Sequence, residues 1–277
     1  MLLRGIHPWL HDENIDNLCR AGPPGGLLVG SDDSALAGCK NLAANLKRNS
    51  SRINRSTYPT CAVVGSGAGL ARSGLGVFID GHSAIFRVNL APASRFERDV
   101  GSRTDFRVST HYPWRIGVAG TRPSVSMTPS INGTRSTRRA VSHLLYCHNG
   151  WVGKCYDDAL HPKPWQRGAL PLHLNPRLAG ALLAVAGPVR KGRAPTAGLL
   201  AVAAALNLCA NVSIFGFSDA LGASTANASA GRCLYYFTCA STEAAYAKGS
   251  SAAHDLAHQH RVLALLEAQQ VIRRFAT

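Results

Sequence analysis

Residues 61–108 read CAVVGSGAGLARSGLGVFIDGHSAIFRVNLAPASRFERDVGSRTDFRV, and the fold is decided there. With Thr60, the opening residues form a short run of apolar and β-branched side chains that stops at glycine, TCAVVG at 60–65. A strand that is apolar on both faces is buried on both, as in a parallel sheet. AIFRVN at 84–89 and DFRVST at 105–110 repeat the pattern and predict a second and a third strand. The Gly-rich turn after the first strand places backbone close to whatever lies beyond the strand end.

Working outward, VSHLLYCH at 141–148 predicts a further strand. NPRLAGALLAVAG at 175–187 has Pro at its first turn, then Leu178, Leu182 and Leu183, and a closing Gly, which predicts a helix. GLLAVAAALNLCA at 198–210 is apolar nearly all round and predicts a buried helix. VSIFGF at 212–217 predicts a strand. HDLAHQHRVLALLEAQQVIRRF at 254–275 predicts one long amphipathic helix, with Leu256, Leu263, Leu266 and Ile272 among its apolar positions. Strands alternating with helices predict an α/β domain with a mostly parallel sheet flanked by helices. That domain spans 58–277. Residues 1–57 are irregular apart from one helical stretch, LAGCKNLAANLKRN, and read as a stem or leader. Residues 119–140, rich in Gly, Pro, Ser, Thr and Arg, read as a mobile loop.

Composition narrows the partners. Thirty Lys and Arg against 15 Asp and Glu give +15 over 277 residues, with 46% hydrophobic and only 16% charged residues. Such a chain buries a core and is not a disordered one. The arginines are scattered, and their densest cluster is Arg135, Arg138 and Arg139. No zinc knuckle, RNP-like aromatic run or basic helix accompanies them, so the charge is no nucleic-acid footprint. No apolar run reaches the ~18 residues of a membrane span, and MLLRGIHPWLHDEN lacks the apolar region of a signal peptide. The eight cysteines, at 19, 39, 61, 147, 155, 209, 233 and 239, contain no CxxC pair. They fit buried thiols or long-range disulfides rather than zinc. Five N-x-S/T sequons, at Asn49, Asn54, Asn132, Asn211 and Asn227, lean toward a secretory compartment.

The turn Gly65-Ser66-Gly67-Ala68-Gly69 invites a dinucleotide-binding reading, and it fails in detail. The third Gly of that pattern is due at position 70, where Leu70 stands. The acidic residue expected about 20 positions on is missing, since Asp80 comes too early.

A longer pattern accounts for the same stretch. Cys61, Gly65, Leu70, Ser73-Gly74, Gly76, Asp80, Arg87, Asn89, Ala91-Pro92, Asp99-Val100 and Gly101-Ser102-Arg103-Thr104 together resemble the large sialylmotif of the eukaryotic sialyltransferases. Pro195-Thr196-Ala197-Gly198, the run from Leu199 to Cys209, Val212 and Gly216-Phe217 resemble the small sialylmotif. Leu234-Tyr235-Tyr236-Phe237 resembles a degenerate third motif, and His254 opens what looks like the very small one. The resemblance covers about 58–275.

It implies a GT-A-like, variant Rossmann single domain. It implies an inverting enzyme that moves sialic acid from CMP-sialic acid to a glycoprotein or glycolipid hydroxyl without a metal. The chain has no Asp-x-Asp metal motif; Asp32-Asp33 and Asp157-Asp158 read as turn acids. By the same resemblance His254 is the general base, since imidazole accepts a proton near neutral pH, and Tyr235 joins it at the catalytic centre. Gly65, Ser66, Asn89, Thr196, Ala197 and Gly198 hold the donor. Exposed N–H groups at a helix start suit a leaving phosphate, although an ordinary helix start reads the same way in isolation. His254, His258 and His260 also allow a zinc reading, but only the first two share a helix face. The resemblance pairs Cys61 with Cys209 in a disulfide; Cys147/Cys155 and Cys233/Cys239 are further pairs the sequence does not assign.

Four positions depart from the family pattern. Ser66 stands for a usual Asn, Ala197 for a hydroxyl residue, Leu234 for a His, and Gln259 for the Glu of His-x4-Glu. Each lost hydrogen bond removes about 1–3 kcal/mol of binding or transition-state energy. Two alternatives therefore stand beside sialyl transfer: a related CMP-activated keto-sugar such as CMP-Kdo, and a catalytically silent CMP- or glycan-binding homologue. The resemblance also implies a type II membrane protein of the Golgi lumen, whose N-terminal anchor this chain does not display.

Overall fold

The computed structural model describes residues 19, 40, 58–111, 125–127, 138–147, 155, 172–187, 193–217, 235–237 and 254–275. Seven strands form one sheet: β1 (Tyr58–Val64), β2 (Ala84–Val88), β3 (Phe106–Thr110), β6 (Ser142–Tyr146), β7 (Leu172–His173), β8 (Cys209–Phe215) and β9 (Arg273–Phe275). Their order is β7-β6-β3-β2-β1-β8-β9, and every neighbouring pair is parallel. Two short strands, β4 (Val125–Met127) and β5 (Arg138–Ala140), pair antiparallel outside it. The stretch read as a loop over 119–140 therefore contains ordered pairing.

The alternation of the strands explains the layers. Cys61 and Val63 of β1 face one core, with Phe86, Val108 and Ile214. Ala62 and Val64 face the other, with Ile85 and Phe215. Helices α3 (Pro176–Ala184), α4 (Ala197–Leu208) and α5 (Leu256–Ala268) cover the first face through Leu178, Leu200 and Leu263. The short helices α1 (Gly76–Asp80) and α2 (Glu97–Val100) cover the second through Ile79 and Val100. Helix α4 is buried along nearly its whole length, and its small Ala side chains let it lie directly on β1, β2 and β3. The architecture is the α/β fold expected: a parallel sheet flanked by helices on both faces.

Two segments differ from expectation. The apolar pattern carries α4 through Cys209 and Ala210, but these belong to β8, because α4 runs into the strand with no intervening loop. The segment expected as one helix over 254–275 splits into α5 and β9. The α5 helix closes with backbone bonds from Gln269 and Gln270, Gln270 takes φ +56, and Arg273–Phe275 then pairs with Ser213–Phe215. Ile272 is buried as expected, but as the lead into a strand. Of the helix expected over 36–49 only Lys40 is described, and it is helical; the Cys233/Cys239 pair lies outside the described residues, as do Leu234 and every sequon except that of Asn211.

Two disulfides join described residues. Cys61–Cys209 ties β1 to β8 across 148 residues, and Cys147–Cys155 closes a separation of 8.

The order of strands defines where a ligand sits. From β1 the chain moves one way to β2, β3, β6 and β7, then returns to add β8 and β9 on the other side. The reversal lies between β1 and β8, and the crevice beyond the carboxyl ends of those strands is the binding position in open α/β sheets.

Candidate functional site

Three segments converge at that reversal. The first is the glycine turn after β1. Gly65 N–H donates to Phe215 O at 2.8 Å and Gly67 N–H to Gly216 O at 3.1 Å. The two amides that a phosphate cradle would use are therefore committed to the end of β8, which is why the dinucleotide pattern fails physically as well as by spacing. Gly65 is needed for close approach: a Cβ there would stand 2.7 Å from Gly216 O and 3.2 Å from Phe215 O. Gly216 takes φ +68 and packs against Leu70. Ser66 O accepts from Tyr236 N–H at 3.1 Å, and Gly67 bridges Tyr235. Gly65→Ala is expected to lower stability by about 1–3 kcal/mol, because both obstructing atoms are backbone. Denaturant midpoints of the two proteins measure it, and an unchanged midpoint would show that the turn relaxes.

The second segment follows β2. Asn89 adopts φ +45, which Asn tolerates better than most residues. Its N–H donates to Val108 O at 2.8 Å, and its Oδ1 accepts from Thr110 N–H at 3.3 Å. Arg107 on β3 clamps the turn by donating from Nη1 to Asn89 O at 2.6 Å. Burial pushes the Arg107 pKa down, against the opposing pull of the Tyr236 phenol. Sequence reasoning took Arg107 as one residue of a strand and missed this clamp. A cation at a buried strand position was the available signal.

The third segment joins the starts of α4 and α5. Because α4 and α5 each precede a strand of a parallel sheet, both begin at the carboxyl edge. Thr196 caps α4: its Oγ accepts from Leu199 N–H at 3.1 Å and donates to Gln259 Oε1. Ala197 and Gly198, the first two residues of α4, carry N–H groups without a partner among the described residues, as the first turn of a helix dictates. Gly198 packs tightly on Phe217, the residue after Gly216, which links this segment to the glycine turn. His254 pairs with Ala194 as a parallel bridge, and its Nδ1 lies 2.9 Å from Ala194 O. A carbonyl only accepts, so Nδ1 carries the proton and Nε2 is the basic nitrogen of the neutral ring.

The other candidates divide. Tyr235 sits beside the glycine turn, half-buried, its ring stacked on Phe237 with centroids 5.3 Å apart. Tyr236 is buried and donates its hydroxyl to Pro92 O; desolvation pushes its pKa up to about 12 despite Arg87 and Arg107 nearby. His258 is a packing residue: its Nε2 donates to Val185 O at 2.7 Å, and its N–H is capped by Asp255. One ring nitrogen of His254 and one of His258 thus serve backbone carbonyls, and among the described residues no group of His, Cys, Asp and Glu is placed to hold a metal. Gly65, Ser66, Asn89, Thr196, Ala197, Gly198, Tyr235 and His254 all lie along the one edge.

Behind the site, Arg107 pairs in register with His143, and Leu145 with His173. Desolvation drives the pKa of His143 from 6.5 down to about 4, helped by Arg107, and that of His173 down to about 3. The unfolded chain binds these protons first, so stability is full above pH 6.5 and falls as pH drops toward 4 and 3. By pH 5 each histidine is expected to remove at most about 2 kcal/mol. Urea midpoints at pH 7 and pH 5 measure the loss, and His143→Gln should roughly halve it.

Comparison with known proteins bears on this edge. The family model for glycosyltransferase family 29 (sialyltransferase) matches residues 33–131 and 171–271. A CMP-N-acetylneuraminate-beta-galactosamide-alpha-2,3-sialyltransferase 4 of Pan troglodytes is 28% identical over 209 residues, which is 69% of this chain and 60% of that protein. A beta-galactoside alpha-2,6-sialyltransferase 2 of Danio rerio is 48% identical over 58 residues, 21% of this chain and 11% of that protein. The chain thus spans about 60% of the length of the longer match. A mammalian sialyltransferase crystallised with Gal-beta-1-3GalNAc-ortho-nitrophenol superposes with TM-score 0.60 over 99% of this chain and 91% of that one, at 19% identity, a likeness of fold.

Proposed function

This chain belongs to glycosyltransferase family 29, the sialyltransferases, and from that premise we propose that it transfers sialic acid, or a related keto-sugar, from a CMP-sugar to a hydroxyl of a glycoprotein or glycolipid glycan. The observation that carries the reading is His254, whose Nδ1 is held on Ala194 O beside the open first turn of α4. In this reaction the acceptor hydroxyl gives its proton to His254 Nε2 as its oxygen attacks the anomeric carbon. The bond to CMP breaks on the opposite side, so the configuration inverts. The leaving phosphate gathers charge, and the N–H groups of Ala197 and Gly198, at the positive end of a 12-residue helix, meet it. Tyr235, beside the glycine turn, supplies a phenol, since leucine at position 234 offers no donor. Asn89 and Ser66 face the nucleoside, and Gly65 keeps the turn close enough for them to do so. By resemblance the reaction draws on no metal, and the enzyme works in the Golgi lumen as a type II membrane protein. No helix among the described residues is long and apolar enough to cross a membrane.

One observation favours a second reading, a silent homologue that binds CMP or glycan. The Thr196 hydroxyl is already donated to Gln259, and Ala197 offers none, so the α4 cap presents fewer donors than a hydroxyl-rich start would. The deciding experiment measures CMP release from CMP-sialic acid with and without acceptor glycans. Acceptor-dependent release supports transfer. A thermal shift with CMP but no release supports the silent homologue, and neither signal overturns both.

A further inference from the structure

Away from the carboxyl edge, an open groove of about 1050 Å³ lies between α1 and the corner where α5 leads into β9. Thr60, Phe78, Asn211, Glu267, Arg273 and Phe275 are among its walls. Its apolar side is uncovered: Val77 is 87% exposed and Phe78 48%. Phe78 meets Phe275 with ring centroids 5.0 Å apart, so the exposed ring is held in place. The groove also contains a modifiable group. Asn211-Val212-Ser213 is an N-x-S sequon on β8, and Asn211 is exposed. Strand β9 pairs with β8 only from Ser213 onward, so it does not cover Asn211.

We propose that Asn211 is an N-glycosylation site whose first N-acetylglucosamine lies in this groove and covers Phe78. The proposal rests on the secretory setting of the function above. The Cys61–Cys209 disulfide, two residues before Asn211, forms in the same oxidising compartment where such glycans are added. The chemistry balances on one nitrogen. The Asn211 amide attacks the anomeric carbon of an oligosaccharide carried on a polyprenyl pyrophosphate. The N–C bond forms, the C–O bond to pyrophosphate breaks, the polyprenyl pyrophosphate leaves with the electron pair, and the amide loses one proton. Its second hydrogen remains, so the bond from Nδ2 to Pro59 O, 3.2 Å here, survives the modification. The apolar face of a pyranose then stacks on Phe78, as ring faces do, and Glu267 and Arg273 meet its hydroxyls. Asn211 opens the amino end of β8, at the far edge of the sheet from His254, so the glycan leaves the candidate site open.

The test is to secrete the chain from eukaryotic cells behind a cleavable signal peptide and to map glycans after amidase release in heavy-oxygen water. The expected result is the Asn211 peptide converted to labelled aspartate, and the loss of one glycan's mass in Ser213→Ala, which keeps the amide bond to Pro59. A secreted, folded chain with an unmodified Asn211 peptide overturns the proposal, whether or not Asn49, Asn54, Asn132 or Asn227 carries a glycan. If Asn211 is bare and the chain dimerises through Phe78, lost in Phe78→Asp, the groove is an interface and the proposal is likewise overturned. Packing is read with a hydrophobic dye. Its binding should rise when the glycan is removed completely and stay level when only the outer sugars are trimmed; no rise overturns the docking of the sugar on Phe78. CMP release from the same preparation reports separately on the catalytic reading.

Discussion

His254→Ala is expected to lower kcat about 10²- to 10⁴-fold, the range for losing a positioned general base. The affinity for CMP should change little, because in the proposed reaction the α4 start and the Asn89 turn, not the imidazole, hold the nucleotide. Alanine also removes the bond to Ala194 O, so a loss on its own does not separate proton transfer from position. His254→Asn separates them. Its amide can donate to the same carbonyl, but it is not a base near neutral pH. If His254 moves the proton, Asn is as poor as Ala, and both lose the acid limb of the kcat/KM profile. If Asn restores the rate, His254 is a positioning residue and another group takes the proton. CMP release across a pH series, with CMP affinity by thermal shift, distinguishes these outcomes.

The Cys61→Ala/Cys209→Ala double variant is expected to lose up to about 5 kcal/mol of stability, the chain-entropy value for a loop of this length. The crosslink spans 148 residues and joins adjacent strands whose Cα atoms are 6.0 Å apart at the cysteines. A typical domain is stable by only about 5–15 kcal/mol, so this loss removes a large share. Cys147–Cys155, with a separation of 8, is the internal comparison; the same relation gives about 2.5 kcal/mol for it. Urea unfolding under non-reducing conditions measures both. Equal midpoint shifts for the two pairs would contradict the entropic account.

The strands β1, β2, β3, β6 and β8 were legible in the sequence, because each carries a short run of apolar and β-branched residues, buried on both faces in β1 and β2. β7 is only two residues long, and β9 follows an amphipathic helix without Gly or Pro, so neither announced itself. The candidate site follows in the sequence from motif order, through His254, Thr196 and Asn89. What holds those residues in place does not. Ala194 lies 60 residues from His254, and Gln259 lies 63 from Thr196. No local pattern encodes a partner at that distance. Gln259 read as a departure from a pattern; in the fold it fastens α5 to the cap of α4.

The pairing of β1 with β8 has a consequence for how the chain is made. β1 is an interior strand of the finished sheet, yet one of its edges stays unpaired until a strand encoded about 150 residues later arrives. At 5–20 residues per second that edge waits roughly 7–30 s on the ribosome. It presents Cys61–Val64, an apolar ribbon with free backbone donors and acceptors and a reactive thiol. Such an edge templates aggregation or a mispaired disulfide. Expression with chaperones and disulfide isomerase, which protect that edge until β8 closes on β1, is therefore expected to raise the yield of folded protein.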